Sequence, residues 1–167
     1  MKRRTTLKTF ITIAALCFGS LAMAQTETAK TPATPDKYYR LDFTVKELEA
    51  GKVVASHSYL TSMTANRRAG SIRSGEKVPF GNGNYQDVGT NIDCMDLKED
   101  GEHLSLRVIA EISSAVASEK GALPLLRQTK WDAFVLVPVK KPAIIFSSDN
   151  PTSNGQMQLQ LTATPIN

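Results

Sequence analysis

The chain has 167 residues, 41% of them hydrophobic and 22% charged, which excludes a disordered chain and leaves room for one packed core without disulfide or metal staples. Its 20 Lys and Arg outnumber 16 Asp and Glu, and the pI is near 9.1, but Lys2, Arg3, Arg4 and Lys8 supply the whole excess. Without them the count is 16 against 16, so nucleic-acid binding loses its electrostatic support.

Residues 1–24 have the three parts of a secretory signal: a basic start, the apolar stretch Phe10 to Phe18, and Ala22-Met23-Ala24 with small residues at the cleavage positions. The apolar stretch is far shorter than the roughly 20 residues that span a bilayer, so no permanent membrane span is expected. Arg3-Arg4 resembles a twin-arginine signal, yet Thr6 stands where such signals carry a large apolar residue, and an ordinary export signal fits better. Leu16 before Cys17 does not suit lipoprotein processing. Cleavage leaves Cys94 as the single cysteine, so no intramolecular disulfide is available. The expected address is periplasmic or extracellular, including the outer-membrane face.

Residues 25–37, rich in Thr, Ala and Pro, read as a flexible linker. From 38 to 167 the signal is alternation with period two, expected of a single β domain. Tyr39, Leu41, Phe43 and Val45 share one face, and Glu49 to Lys52 make a turn into Val53–Met63. A short extended run follows near Ala69–Arg73. Gly81 to Asn84 form a loop before Val88–Leu97, and Glu99 to Glu102 a hairpin turn. Leu104, Leu106, Val108, Ala110 and Ile112 give the cleanest alternation. Trp131 to Val137, Ala143 to Phe146 and Met157 to Ala163 complete the pattern. Short helical turns are allowed at Lys46–Ala50 and Ser113–Lys120 and nowhere else. The expected fold is all-β: an antiparallel sandwich or partly closed barrel of seven to eight strands.

Four stretches, in order, resemble the core module of bacterial secretins, the ring-forming outer-membrane channels of secretion and pilus systems. They are Gly75-Glu76-Lys77-Val78-Pro79-Phe80, then Tyr85-Gln86-Asp87-Val88-Gly89, then Leu104–Ser114, and last Leu159–Ile166. The resemblance covers about residues 67–167. No room exists between Tyr38 and Thr64 for the repeated N-terminal ring domains of a full secretin, and Phe146–Gly155 lacks the family's Gly-Gly-Leu segment. The resemblance therefore implies a shortened, soluble relative or a structural analogue, to which channel formation is not carried over. Physically, Pro79 ends ladder pairing and Gly89 permits a bulge or close strand approach, so Val78, Pro79, Phe80, Tyr85, Asp87, Val88 and Gly89 are expected to set shape rather than chemistry.

No catalytic, metal or cofactor-binding residues are assigned. His57 and His103 belong to no close ligand spacing, and Gly81 to Asn84 lack a phosphate-binding ending. Asp93, Asp96, Glu99, Asp100 and Glu102 form an acidic run whose spacing departs from a calcium loop. Opposite in sign, Arg67, Arg68, Arg73 and Lys77 are candidate partner-binding residues, with exposed charged edges as the plainer reading. Val135–Pro138 and Ala143–Phe146 are core strands, or partner surfaces if one face is exposed. The expected function is non-enzymatic: protein contacts in the envelope, through β-edge pairing or self-association. The alternatives are a small-molecule or glycan site framed by Gly81–Asn84 and Asn150–Gly155, and an enzyme using Cys94 with His103.

Overall fold

A computed structural model describes residues 37–65, 69–116, 123–150 and 155–166. The export signal, most of the linker, Arg67, Arg68 and Gly121 lie outside the described residues. Eight strands are present: β1 (Tyr38–Glu49), β2 (Lys52–Thr64), β3 (Gly70–Pro79), β4 (Tyr85–Asp100), β5 (His103–Val116), β6 (Leu125–Pro138), β7 (Pro142–Asp149) and β8 (Gly155–Ile166). They form two four-stranded antiparallel sheets, ordered β2-β1-β8-β7 (sheet 1) and β3-β4-β5-β6 (sheet 2).

Alternation builds the core because successive strand side chains point to opposite faces. Tyr39, Leu41, Phe43 and Val45 of β1 face inward with Leu159, Leu161 and Ala163 of β8. Sheet 2 answers with Ile92, Cys94, Leu97, Leu104, Leu106, Val108, Ala110 and Val137. Burying each of the larger side chains contributes roughly 2 kcal/mol.

Three strands depart from simple alternation. On β4, Asp96 and Leu97 together oppose Leu106, and Asp96 takes a left-handed φ of 55°. This bulge reverses the facing of the strand, so Leu97 is buried although Ile92 and Cys94 stand at even positions. Val54 and Ile145 are the extra residues of two further irregularities, on β2 and β7.

Neither proposed helical turn forms where the chain is described. Lys46 to Glu49 stay extended because they pair on both sides, with β2 and with β8. Ser113 to Val116 pair with Leu125 to Gln128 of β6, so satisfied ladders replace local helix bonds. The β1–β2 turn is two residues long, Ala50 (φ 48°) and Gly51 (φ 78°), the double positive φ of a type I′ hairpin.

Candidate functional site

The lateral sides of the sandwich come first, since edge strands carry unpaired backbone groups. β2 lies beside β3 on one side, and β6 beside β7 on the other, yet neither pair forms a ladder. Each side is closed by side chains. Trp131 of β6 stacks on Phe146 of β7, with ring centroids 5.5 Å apart and planes 3° from parallel. Toward the other side, Tyr59 of β2 donates its hydroxyl to Thr90 Oγ1 of β4 at 2.9 Å. All four edges of the two sheets are therefore without a ladder partner among the described residues.

The two motif stretches of Gly75–Phe80 and Tyr85–Gly89 meet in one hairpin. Pro79 pairs with Tyr85, Val78 with Gln86, Lys77 with Asp87, Glu76 with Val88, and Gly75 with Gly89. A Cβ on Gly75 would lie 2.2 Å from the Val88 carbonyl oxygen, and one on Gly89 2.1 Å from that of Ser74. Gly89 also has φ 145°, a backbone that side-chain-bearing residues rarely adopt. Facing glycines thus let β3 and β4 approach more closely than any other pair of residue types would.

Gly89 is also where sheet 2 forks. β4 and β5 pair from Thr90–Ile112 to Asp100–His103, whereas Tyr85–Gly89 and Ser113–Val116 pair with their outer neighbours β3 and β6. Ser113 Oγ sits at the root of the fork, accepting the Gly89 N–H at 3.0 Å and donating to the Gly89 carbonyl at 3.4 Å. At this end the two sheets diverge around a cleft of about 710 Å³, lined by residues such as Val45, His57, Thr90, Ile112, Arg127 and Met157. Asn150 and Gly155 line it as well, but Gly81–Asn84 do not, so the two loops expected to frame one site are not brought together.

The opposed charge runs meet at one pair, and members of each run pair elsewhere in the chain. Arg73 NH2 contacts both Asp93 carboxylate oxygens, at 2.7 and 3.0 Å, and Lys77 reaches Asp87 at 2.9 Å. Glu99 accepts from Lys37 at 2.7 Å, and that hydrogen bond holds its carboxyl below the usual range. On the outer face of sheet 2, Arg107 donates two hydrogen bonds to Asp132, at 2.8 and 2.7 Å, and lies 6.0 Å from the centre of the exposed Phe134 ring. Among the described residues no group of three His, Cys, Asp or Glu is placed to hold a metal ion.

The Cys94–His103 pair comes apart. Cys94 is fully buried opposite Val108, and burial, with a smaller contribution from Asp93, pushes its thiol up to about 12. His103 is exposed and lies five residues along β5 from Val108, about 17 Å at strand spacing. A protonated thiol that far from its base is no nucleophile.

The sequence offered no signal for the cleft, whose lining comes from strands spread from Val45 to Met157. The outward pair Phe134 and Leu136 was legible in part, as the alternate residues of an apolar run. They are 68% and 57% exposed on edge strand β6, while Val137, on the inner face of the same strand, is buried.

No family model and no curated protein matches the chain. In solved structures, the type II secretin GspD of enteropathogenic Escherichia coli is similar over 80% of this chain and 70% of its own, with a TM-score of 0.56 and 8% identity. The secretin InvG of the Salmonella SPI-1 type III secretion injectisome gives 80% and 66%, 0.53 and 9%. The T2SS secretin XcpQ of Pseudomonas aeruginosa gives 80% and 60%, 0.50 and 12%. The chain spans about 60–70% of these three structures. The four sequence stretches and the fold agree: this chain is secretin-like in architecture.

Proposed function

We propose that the chain is an exported, non-enzymatic protein of the cell envelope whose copies join side by side through their sheet edges. In this reading residues 1–24 are a leader, 25–37 a tether and 38–167 the working domain. One observation carries it. Each sheet has four strands, all antiparallel, so its two edge strands run in opposite directions. A neighbour placed alongside without being turned over continues the antiparallel ladder. Moreover, β6 and β7 occupy one lateral side and β2 and β3 the other, so one displacement aligns both sheets at once. Backbone hydrogen bonds supply affinity, as in strand addition generally.

Arg73 and Lys77 lie on the β3 edge and set orientation in this scheme, and Arg67 and Arg68, outside the described residues, are proposed to act with them. Arg73 and Lys77 do so while neutralised by Asp93 and Asp87. The solved structures that share the fold are secretins of secretion systems, which supports an envelope setting. No helix among the described residues is long and apolar enough to cross a membrane. Light scattering and electron microscopy of the exported chain across concentration test the proposal. Concentration-dependent assembly into closed or linear arrays is expected, and a monomer at every concentration overturns it.

The cleft favours a second reading, a small-molecule or glycan site at the diverging end of the sandwich. Ligand-observed NMR against a glycan and metabolite panel checks it. Binding that Ile112→Trp abolishes supports this reading, and silence across the panel removes it.

A further inference from the structure

Sheet 1 turns a polar face outward: Arg40, Asp42, Thr44, Lys46, Gln160 and Thr162 occupy its two central strands. Tyr38, Ile166 and Val53 are exposed near the strand ends of that face, and two large apolar residues interrupt it nearer the middle, Leu60 at 57% exposure and Ile144 at 58%. They stand on opposite edges, Leu60 on β2 and Ile144 on β7. Both edges also lack the charges that ordinarily protect a sheet margin. None occurs from Val53 to Thr64 or from Pro142 to Ser148, whereas the edges of sheet 2 carry Arg73, Glu76 and Lys77 on β3 and Arg127, Lys130 and Asp132 on β6.

We propose that Leu60 and Ile144 are the two halves of one seam, with Ile144 of each copy seated opposite Leu60 of the next. The inference rests on the edge-pairing reading above and fixes its register. β2 and β7 run in opposite directions, so the new ladder is antiparallel. Leu60 is level with Asp42, Thr162 and Pro142 in the sheet, and Ile144 with Gln160, Thr44 and Ser58. Placing the two opposite one another therefore steps each copy by two residues along the strand. An even step keeps every side chain on its own face, where a step of one would turn the core residues outward. The step is about 7 Å at strand spacing, so successive copies are staggered along the strand direction. Directly opposed residues place their Cβ atoms about 5 Å apart, close enough for the two apolar side chains to cover each other.

Cysteine cross-linking of the exported chain tests the seam. Buried Cys94, its thiol raised to about 12, stays silent in the folded protein. Leu60→Cys and Ile144→Cys chains are mixed, oxidised and compared with each variant alone, since opposed strand positions meet disulfide geometry. The mixture should yield linked pairs at least tenfold above either single variant. Leu60→Lys should lower association at least tenfold with an unchanged thermal midpoint, because the residue is exposed. Linking of Leu60→Cys to itself would mean a two-fold β2–β2 seam and overturns the inference. So does association by light scattering without any cross-link, which leaves the edge-pairing reading standing. A monomer at every concentration sinks both.

Discussion

The two sheets share one inner code and differ everywhere else. Each contributes an alternating apolar row to the same core. Sheet 1 is continuous: β1 is paired along its whole length on both sides, and its edge strands carry no Lys, Arg, Asp or Glu from Val53 to Thr64 or from Pro142 to Ser148. Sheet 2 is pinched by Gly75 and Gly89, forks beyond Thr90 and Ile112, and carries charged edges. The inner faces fix the sandwich, while glycines, bulges and edge charges decide how far each sheet extends and what meets it.

The largest expected effect comes from closing the pinch. Gly89→Ala puts a Cβ against the Ser74 carbonyl and forces a rarely adopted φ, so we expect a loss of about 3 kcal/mol or more. Urea unfolding gives the magnitude, and hydrogen exchange gives the place. Protection should fall first at the β3–β4 hairpin, with β1 and β8 holding longest. Uniform loss of protection would show that the sheets do not differ in the way described.

The next effect runs in the opposite direction and belongs to sheet 1. Ala50 occupies the left-handed region at the β1–β2 turn, where a Cβ costs about 1 kcal/mol and Asn is better tolerated. Ala50→Asn should therefore raise stability by up to about 1 kcal/mol. The corresponding β4–β5 turn already has Gly101, with φ 60°, at its first position and has no such reserve. Gly101→Asn should give no gain, and a gain there would remove the contrast between the hairpins.

How much of this was legible follows from what side chains can signal. Leu104 to Ile112 alternate cleanly and are a strand, and two of the four stretches behind the secretin resemblance pair residue by residue in one hairpin. β3 is longer than the run near Ala69–Arg73, because Ser74 to Lys77 have no apolar member and extend through backbone pairing to β4. β6 begins at Leu125 rather than Trp131, because its first residues, which show no apolar alternation, pair through their backbone with Val116 to Ser113. The bulge at Asp96 and Leu97 depends on a left-handed φ, which composition does not encode. The cleft has no local signature, since it arises where two sheets diverge. Edge charges, by contrast, stand in the sequence plainly but gain meaning once the strand order is known.

A smaller effect links the sheets. Tyr59 and Thr90 join β2 to β4 through one hydrogen bond, and Thr90 is buried. Tyr59→Phe should cost about 1 kcal/mol, the ordinary net worth of such a bond plus an unpaired hydroxyl. The double variant with Thr90→Val should recover part of the loss, because both polar partners are then gone. Equal costs for the single and double variants in urea would show that the bond does not tie the sheets together.

Acid gives the smallest effect, and it acts with the same sign on two surface pairs. The hydrogen bond from Lys37 lowers Glu99, and the guanidinium of Arg107 lowers Asp132. A carboxyl lowered by folding contributes stability above the ordinary carboxylate pKa and loses it as pH falls through the folded value. Stability should therefore decline in acid, beginning below about pH 4. Both pairs are exposed and screened, so each contribution is modest and weakens with salt. Lys37→Met removes the tie between the approach to β1 and the end of β4, and Arg107→Met frees the outer face of sheet 2. Each should flatten part of the decline below about pH 4 in urea midpoints, and a slope unchanged in both would place the acid sensitivity elsewhere. If Arg107→Met flattens it more than Lys37→Met, the charged outer face of sheet 2 carries the larger part of the pH dependence.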